Sequence, residues 1–113
     1  MKEGWLLRDG EVLAAADVAG HGLEGTRGLL GRRDYDRAMH FPRTRSIHTA
    51  GMRFALDVAF LDRDLVVLAV ARVPPWRVAL PRRGTRSILE ASAGSFERWG
   101  LRVGDHLEIR ETA

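Results

Sequence analysis

Residues 46–71 read SIHTAGMRFALDVAFLDRDLVVLAVA, and this stretch decides the fold. It contains two apolar runs, Phe54–Leu61 and Leu65–Ala71, which are rich in Val, Leu, Phe and Ala and contain neither Pro nor Gly. Short apolar runs of this kind are typical of buried strands, and the polar residues 62–64 between them predict a tight turn. Asp57 lies inside the first run, and it needs a partner because burying a lone charge costs roughly several kcal/mol.

The sequence before this stretch predicts a hairpin. Trp5–Arg8 and Glu11–Ala16 flank Asp9-Gly10, a dipeptide that supplies the positive φ values of a two-residue turn. Three glycines within residues 17–25 then indicate a loop or an irregular edge.

Two short helical turns are expected, over residues 26–31 and over residues 95–100. Ser95 is the expected cap of the second turn, and Gly100 closes it. Pro74-Pro75 ends the central hairpin, because neither residue can donate to a strand ladder. The remaining predicted strands are Ala38–Phe41, Ser46–Thr49, Trp76–Leu80, Ser87–Ala91 and His106–Ile109. Together these elements predict a mainly β fold, a compact antiparallel sandwich or barrel with one or two short helical turns.

The composition bounds the class of protein. A chain of 113 residues has the length of one domain, so residues 1–113 are expected to fold together. The absence of Cys excludes disulfides, thiolate zinc sites and cysteine nucleophiles. No signal-peptide pattern is visible, and no apolar run reaches the roughly 20 residues of a membrane helix. We therefore expect a soluble cytoplasmic protein that does not enter a membrane and that carries no cofactor.

Arginine is distributed unevenly along the chain. Residues 27–53 carry seven Arg against two Asp, and residues 72–86 carry five Arg and no acid. These segments are either solvated loops or the binding surface of an anionic partner. Of the 18 basic residues 17 are Arg, a bias that genomic base composition can also produce, so both interpretations stay open.

Four segments, in this order and spacing, resemble the domain of unknown function 192 family of bacterial and archaeal proteins. They are GLLGR (28–32), SIHTAGMRFALDVAFLD (46–62), PPWR (74–77) and SILEASAGSFERWGLRVGDHLEI (87–109), so the resemblance covers about residues 12–110. It implies a compact, mainly β domain with one short helix near the first segment, and it implies no established biochemical activity. The positions that match the family are Gly28, Leu29, Gly31, Arg32, Asp57, Leu89, Glu90, Gly94, Gly104 and Asp105.

The sequence departs from the family at one motif. Many members carry an aromatic-Met-Lys-Asn-Thr run before the central strand, whereas this chain has Ile-His-Thr-Ala-Gly-Met at residues 47–52. A role that depends on the Lys-Asn pair therefore cannot be transferred.

Two carboxylates in apolar strands are the first candidate site residues. Asp57 either lines a ligand pocket or forms a structural ion pair, with Arg32 or Arg53 as the possible partner. Glu90 either pairs with Asp57, if their strands adjoin, or accepts hydrogen bonds from the N–H groups of residues 93–95.

The other candidates surround these acids. His48 is interpreted as a hydrogen-bonded wall of the pocket. Trp76 and Arg77 follow a rigid Pro-Pro, and they either form an aromatic and cationic rim or simply pack and project from the sheet. Arg32 would complete the pocket. The predicted ligand-binding residues are thus Arg32, His48, Asp57, Trp76, Arg77 and Glu90.

These residues favour binding over catalysis. The first hypothesis is a small β domain whose polar pocket binds a small polar or anionic molecule. The alternative is a non-enzymatic protein-interaction module. A hydrolase or a metal-dependent enzyme is a weaker alternative, because no His-x-His, no nucleophile elbow and no metal motif is present among His40, His48, Asp57 and Glu90. Nucleic acid is not expected as a partner, because the central strands lack stacking aromatics. The oligomeric state is left open.

Overall fold

The computed structural model describes residues 2–19 and 37–112. Within these residues it contains strands β1–β9 and the helix α1, which precedes β9. The elements are β1 Lys2–Arg8, β2 Glu11–Val18, β3 Ala38–Pro42, β4 Ile47–His48, β5 Leu56–Leu61, β6 Val67–Val73, β7 Val78–Ala79, β8 Ser87–Ser92, α1 Ser95–Trp99 and β9 Leu107–Glu111. The mainly β prediction is confirmed. The predicted helix over residues 26–31 lies outside the described residues.

Seven strands form one sheet in the order β6-β5-β8-β3-β2-β1-β9, and β4 pairs with β7 in a separate two-stranded ribbon. All pairs are antiparallel except β2 with β3, which is parallel. This parallel pair is the exception, among the described strands, to the mainly antiparallel arrangement that was predicted. The sheet curls so that its edges approach at a bridge between Val66 and His106, but it does not close into a barrel.

The two predicted hairpins are present, because both are encoded by local turn chemistry. Asp9 and Gly10 have φ values of 52° and 80°, as a turn between twisted antiparallel strands requires. In the central hairpin, Oδ1 of Asp62 accepts hydrogen bonds from the N–H groups of Asp64 and Val66, both at 2.9 Å. These bonds extend the turn beyond the predicted residues 62–64, so β6 begins at Val67 and not at Leu65.

The sheet has a ribbon face, which the β4–β7 ribbon covers, and a helix face, on which α1 packs. Because alternate residues of a strand point to opposite faces, β5 and β8 supply both layers of the core. The ribbon face buries Met39, Phe41, Val58, Phe60 and Ile88 beneath Ile47 and Ala79 of the ribbon. The helix face buries Ala59, Leu61, Leu89 and Ala91 with Phe96 and Leu101. Because of this division, polar side chains of β5 and β8 can contact each other only if they lie on the same face of the sheet.

The predicted cap of α1 is wrong. The helix is capped by Gly94, which has a φ of 96°, and Ser95 instead accepts a hydrogen bond from Arg98. The predicted closure by Gly100 is confirmed, since it adopts a φ of 63° and its N–H bonds to the carbonyl of Glu97. Glycine suits both positions because an L side chain is strained at positive φ.

The predicted ribbon strands are present but shorter than expected. The strand predicted over residues 76–80 is reduced to β7, because Trp76 adopts a φ of 61° and interrupts the extended chain. The final strand is shifted by one residue at its start and by two at its end, since β9 pairs with β1 as far as Glu111. Residues 2–19 and 37–112 contain no helix that is long and apolar enough to cross a membrane.

Candidate functional site

Asp57 holds together three parts of the fold. Its side chain is buried on the helix face of β5, and Oδ2 accepts hydrogen bonds from the N–H groups of Gly94 and Phe96 at 2.9 and 3.1 Å. Oδ1 lies 3.2 Å from Nε of Arg72, which is directly opposite in the β5–β6 register. The carboxylate therefore supplies the cap that Gly94 cannot provide. Its arginine partner among the described residues is Arg72 and not Arg53, and the other predicted partner, Arg32, lies outside those residues.

Glu90 points to the opposite face of the sheet. It is paired with Val58 across β5 and β8, whereas Asp57 is paired with Ala91, so the two carboxylates lie on different faces although their strands adjoin. The carboxylate pair that was considered for adjoining strands therefore does not form. In the alternative interpretation Glu90 accepts from the N–H groups of residues 93–95, but the N–H of Gly94 donates to Asp57 instead.

Glu90 is only 2% exposed and makes no side-chain hydrogen bond or ion pair with the described part of the chain. Burial raises the pKa of Glu90 to about 8, because the apolar surroundings destabilise the charged form. The side chain is therefore mostly a neutral carboxyl group at neutral pH.

His40 is a second buried titratable group, and it lies in register with Leu89 on the helix face. Its Nε2 has no hydrogen-bond partner in the described ranges. Burial lowers the pKa of His40 to about 4, against a smaller opposing effect of the Glu111 charge. No group of three or more His, Asp or Glu that could hold a metal is found within residues 2–19 and 37–112.

Thr49 anchors the turn that carries Trp76 and Arg77. Its buried hydroxyl donates to the carbonyl of Pro74 at 2.6 Å and accepts from the N–H of Arg77 at 2.9 Å. Its backbone N–H bonds to the carbonyl of Arg77, and its carbonyl accepts the N–H of Trp76. Four backbone groups of this small turn are thus bonded to one residue, which sequence reasoning did not identify as important.

The turn presents Trp76 and Arg77 to solvent beside the exposed His48 of β4. Trp76 is 67% exposed, and Nη1 of Arg77 lies 3.2 Å from the carbonyl of Trp76. The structure therefore brings together three of the predicted residues, His48, Trp76 and Arg77, on the ribbon. Asp57 and Glu90 lie on opposite faces of the main sheet, and Arg32 lies outside the described residues.

A groove of about 580 Å³ lies between β6 and the segment that contains β7. We call it the arginine groove, because Arg72, Arg77 and Arg82 line it and no acidic residue of the described chain does. The guanidinium of Arg82 lies over the ring of Phe60, 5.5 Å from its centroid. The apolar lining is Phe60, Ala71, Val73, Pro74, Val78, Ala79, Leu80 and Pro81.

The depression beside Asp57 is much smaller. A depression of about 200 Å³ lies there between the end of β6 and α1, and it contains the acids Asp57 and Glu97 together with Arg72. Both oxygens of Asp57 already have partners, so Asp57 offers no free oxygen to a ligand here. Among the described residues of the predicted site, Arg77 lines the larger groove.

Sequence reasoning missed Arg72 and Arg82 as site residues. Both belong to the arginine-rich segment 72–86, so the charge distribution contained the signal. The charge distribution does not show that the end of β6 lies beside the segment around β7. A groove between segments that are distant in the sequence has no local sequence signature.

Sequence comparison identifies relatives that are themselves uncharacterised. Residues 6–109 match the model of the DUF192 family, described as Uncharacterized ACR. A UPF0127 protein of Pyrococcus furiosus is 38% identical over 63 residues, which are 56% of this chain and 54% of that protein. A UPF0127 protein of Thermococcus sibiricus is 33% identical over 63 residues, 56% of this chain and 41% of that protein. The matches span about half the length of these curated relatives.

Two solved structures are similar in fold. One is described as a putative transcription regulator from Sinorhizobium meliloti, with a TM-score of 0.77, 24% identity, and coverage of 96% of this chain and 92% of that chain. The other is a protein of unknown function from Novosphingobium aromaticivorans, with a TM-score of 0.74, 20% identity, and coverage of 94% and 83%. At these identities the likeness shows the fold alone. The family match spans nearly the whole chain, as the resemblance predicted, and this protein belongs to the domain of unknown function 192 family.

Proposed function

We propose that this protein binds a small anionic molecule with an apolar part in the arginine groove. The observation that carries the proposal is the lining of the groove, where three arginine residues and an apolar floor occur without a single acidic side chain of the described chain. Clefts of a few hundred Å³ with an apolar lining and a few converging polar groups are the usual form of small-molecule sites.

The arginines of the groove retain donors for a ligand. Arg77 and Arg82 form no ion pair with any residue in the described ranges. Arg72 also lines the groove, but its Nε donates to Asp57 on the opposite face of the sheet, so Arg77 and Arg82 are the arginines with donors for a ligand. A guanidinium presents five N–H donors in a planar fork that matches the two oxygens of a carboxylate or phosphate, which favours an oxyanion as the polar part of the ligand.

The groove is also held in shape before a ligand arrives. The hydrogen bonds of Thr49 fix the backbone at Arg77, and the contact with the ring of Phe60 orients Arg82. Preorganised groups lose less conformational entropy on binding, so the geometry is suited to recognition rather than to a passive charged surface.

Isothermal titration with benzoate, compared with neutral benzyl alcohol, tests the proposal. We expect benzoate to bind more tightly than the alcohol, and Arg77→Gln to weaken benzoate by about tenfold through the loss of one charge-assisted contact. The matched control is Arg63→Gln, which removes the same charge from the exposed turn of the central hairpin. Equal affinity for acid and alcohol, or equal weakening by both variants, would reject the groove as an anion site.

A second candidate function is protein interaction through the edge of the sheet. β6 is an edge strand, and the outer backbone groups of Leu68–Val73 make no hydrogen bond to the described part of the chain. Val70 is 40% exposed on this strand, and free edges are templates for pairing with another chain. Size-exclusion chromatography over a range of concentrations would support this function if it shows self-association that Val70→Lys abolishes.

A further inference from the structure

A second basic depression lies next to the arginine groove and shares Pro81 and Arg82 with it. We call it the arginine cluster, since it is lined by Arg45, Arg82, Arg83 and Arg86 around Gly84 and Thr85. Its volume is about 440 Å³, and no acidic residue of the described chain lines it. Four positive side chains therefore surround a space the size of a small ligand.

None of these four arginines forms an ion pair with residues 2–19 or 37–112. Some other arginines of the fold are paired, as Arg8 with Asp105 at 3.0 Å and Arg110 with Glu108 at 2.9 Å. Neighbouring like charges repel and raise the local potential, and an anion that binds between them removes this cost. Other arginines of the described chain, such as Arg63 and Arg102, also lack an ion pair, but here four such arginines line one depression.

The loop that carries the cluster is fixed at both ends. The N–H of Thr85 bonds to the carbonyl of Arg82 at 3.0 Å, and the N–H of Arg86 bonds to the carbonyl of Leu61 in β5 at 2.8 Å. Gly84 adopts a φ of 88° in the turn between them. The backbone therefore holds the arginines close together even though they repel.

The hydroxyl of Thr85 lies beneath the cluster without a hydrogen-bond partner in the part of the chain that the structure describes. The side chain is buried, and an unsatisfied buried donor costs stability. Unsatisfied polar groups are rare in native structures, and each one calls for an explanation, such as an absent ligand or water.

We propose that the arginine cluster binds a chain of linked phosphoryl groups. A polyphosphate chain concentrates several negative charges in a small volume, so it can neutralise four guanidinium groups, whereas a single carboxylate can neutralise only one. The planar guanidinium fork also matches phosphate oxygens in pairs. This site adjoins the anion site of the arginine groove and shares Arg82 with it, but Arg45, Arg83 and Arg86 line the cluster alone, so the proposal does not depend on anion binding in the groove.

Isothermal titration at low ionic strength with tripolyphosphate tests the proposal. We expect tripolyphosphate to bind the wild type, and the double variant Arg83→Gln/Arg86→Gln to weaken binding at least about tenfold. The matched control Arg63→Gln/Arg110→Gln removes two positive charges away from the cluster and is expected to leave the affinity within about threefold, since distant surface charges are screened by salt. Arg77→Gln, which weakens benzoate in the groove, is expected to leave tripolyphosphate nearly unchanged.

Adenosine triphosphate, adenosine and a single-stranded oligonucleotide distinguish the sources of the phosphoryl chain. Equal binding of tripolyphosphate and adenosine triphosphate identifies the chain alone as the ligand, and tighter binding of the nucleotide identifies a nucleotide. Either result supports the proposal if adenosine does not bind. The proposal is overturned if tripolyphosphate fails to bind, if both double variants weaken it equally, or if only the oligonucleotide binds, which would indicate a nucleic-acid surface instead.

Discussion

Charged groups have partners within the fold around Asp57, whereas the arginines of residues 77–86 lack them in the described part of the chain. Asp57 is buried, and each of its oxygens has a partner, so the charge is used entirely within the fold. Arg77, Arg82, Arg83 and Arg86 are exposed and find no carboxylate within the described ranges. A charge buried in an apolar strand was the strongest signal in the sequence, yet the structure uses it to hold a helix. The charges that are left without partners are the better guide to a ligand.

The largest effect on stability is expected at Asp57. Asp57→Ala removes the acceptor of two buried N–H groups and the partner of Arg72, which predicts a loss of about 3 kcal/mol in the free energy of unfolding. Urea denaturation measures it. The control Asp64→Ala, on the exposed turn of the central hairpin, is expected to cost under about 1 kcal/mol. A loss at Asp57 no larger than that of the control would mean that its carboxylate is not structural.

A smaller effect is expected from Glu90, and it depends on pH. In the folded protein the carboxyl keeps its proton up to a pH of about 8, whereas the unfolded chain releases it near 4.5. The folded state then binds more protons than the unfolded state, so the free energy of unfolding falls as pH rises, by about 1.4 kcal/mol per pH unit. His40 acts with the opposite sign, since its stabilising effect is lost as pH falls from 6.5 to about 4.

The effects of the two groups on stability can therefore be measured separately above pH 6.5. In that range the contribution of His40 no longer changes, and of the two groups only Glu90 still alters the free energy of unfolding. Between pH 6.5 and pH 8 we expect the wild type to lose about 2 kcal/mol of stability. Glu90→Gln should remove most of this loss, whereas Glu97→Gln, at an exposed position of α1, should keep it. Thermal or urea unfolding at several pH values measures the slopes, and parallel slopes for wild type and Glu90→Gln would contradict a buried neutral carboxyl.

The smallest effect is expected where arginines lack partners. Arg83→Gln and Arg86→Gln should change the free energy of unfolding by no more than about 0.5 kcal/mol, or raise it, because they relieve repulsion. The comparison variant is Arg8→Gln. Arg8 bonds to Asp105 and to the carbonyls of Trp99 and Gly100, so its loss should cost about 1–2 kcal/mol. Similar losses in all three variants would show that the cluster has structural partners after all.

The sequence predicted those parts of the fold that depend on neighbouring residues. The turn at Asp9-Gly10 and the hairpin of β5 and β6 were predicted because their turn residues and apolar runs act locally. The cap of α1 was not, because Asp57 reaches it from a strand about forty residues earlier, and Ser95 satisfied the local rule equally well. The family was recognised from the order of four segments, which requires no knowledge of contacts.

The site was less predictable than the fold because it depends on contacts between residues that are distant in the sequence. Asp57 and Glu90 both lie in apolar strands, but only the register of β5 and β8 shows that they point to opposite faces. The arginine groove joins the end of β6 to the segment around β7, a contact that depends on how the ribbon packs on the sheet. Arg77 is a predicted site residue that lines this groove, whereas Arg72 and Arg82 were visible only as part of a basic segment.

Chemical-shift mapping of the isotope-labelled protein with benzoate tests most directly whether ligands bind where charges lack partners. We predict that the amide signals of Ala71, Arg77 and Arg82 shift in a saturable manner, and that those of Gly94 and Phe96, which bond to Asp57, do not move. The largest shifts at Gly94 and Phe96, or no saturable shift in the arginine groove, would contradict the account.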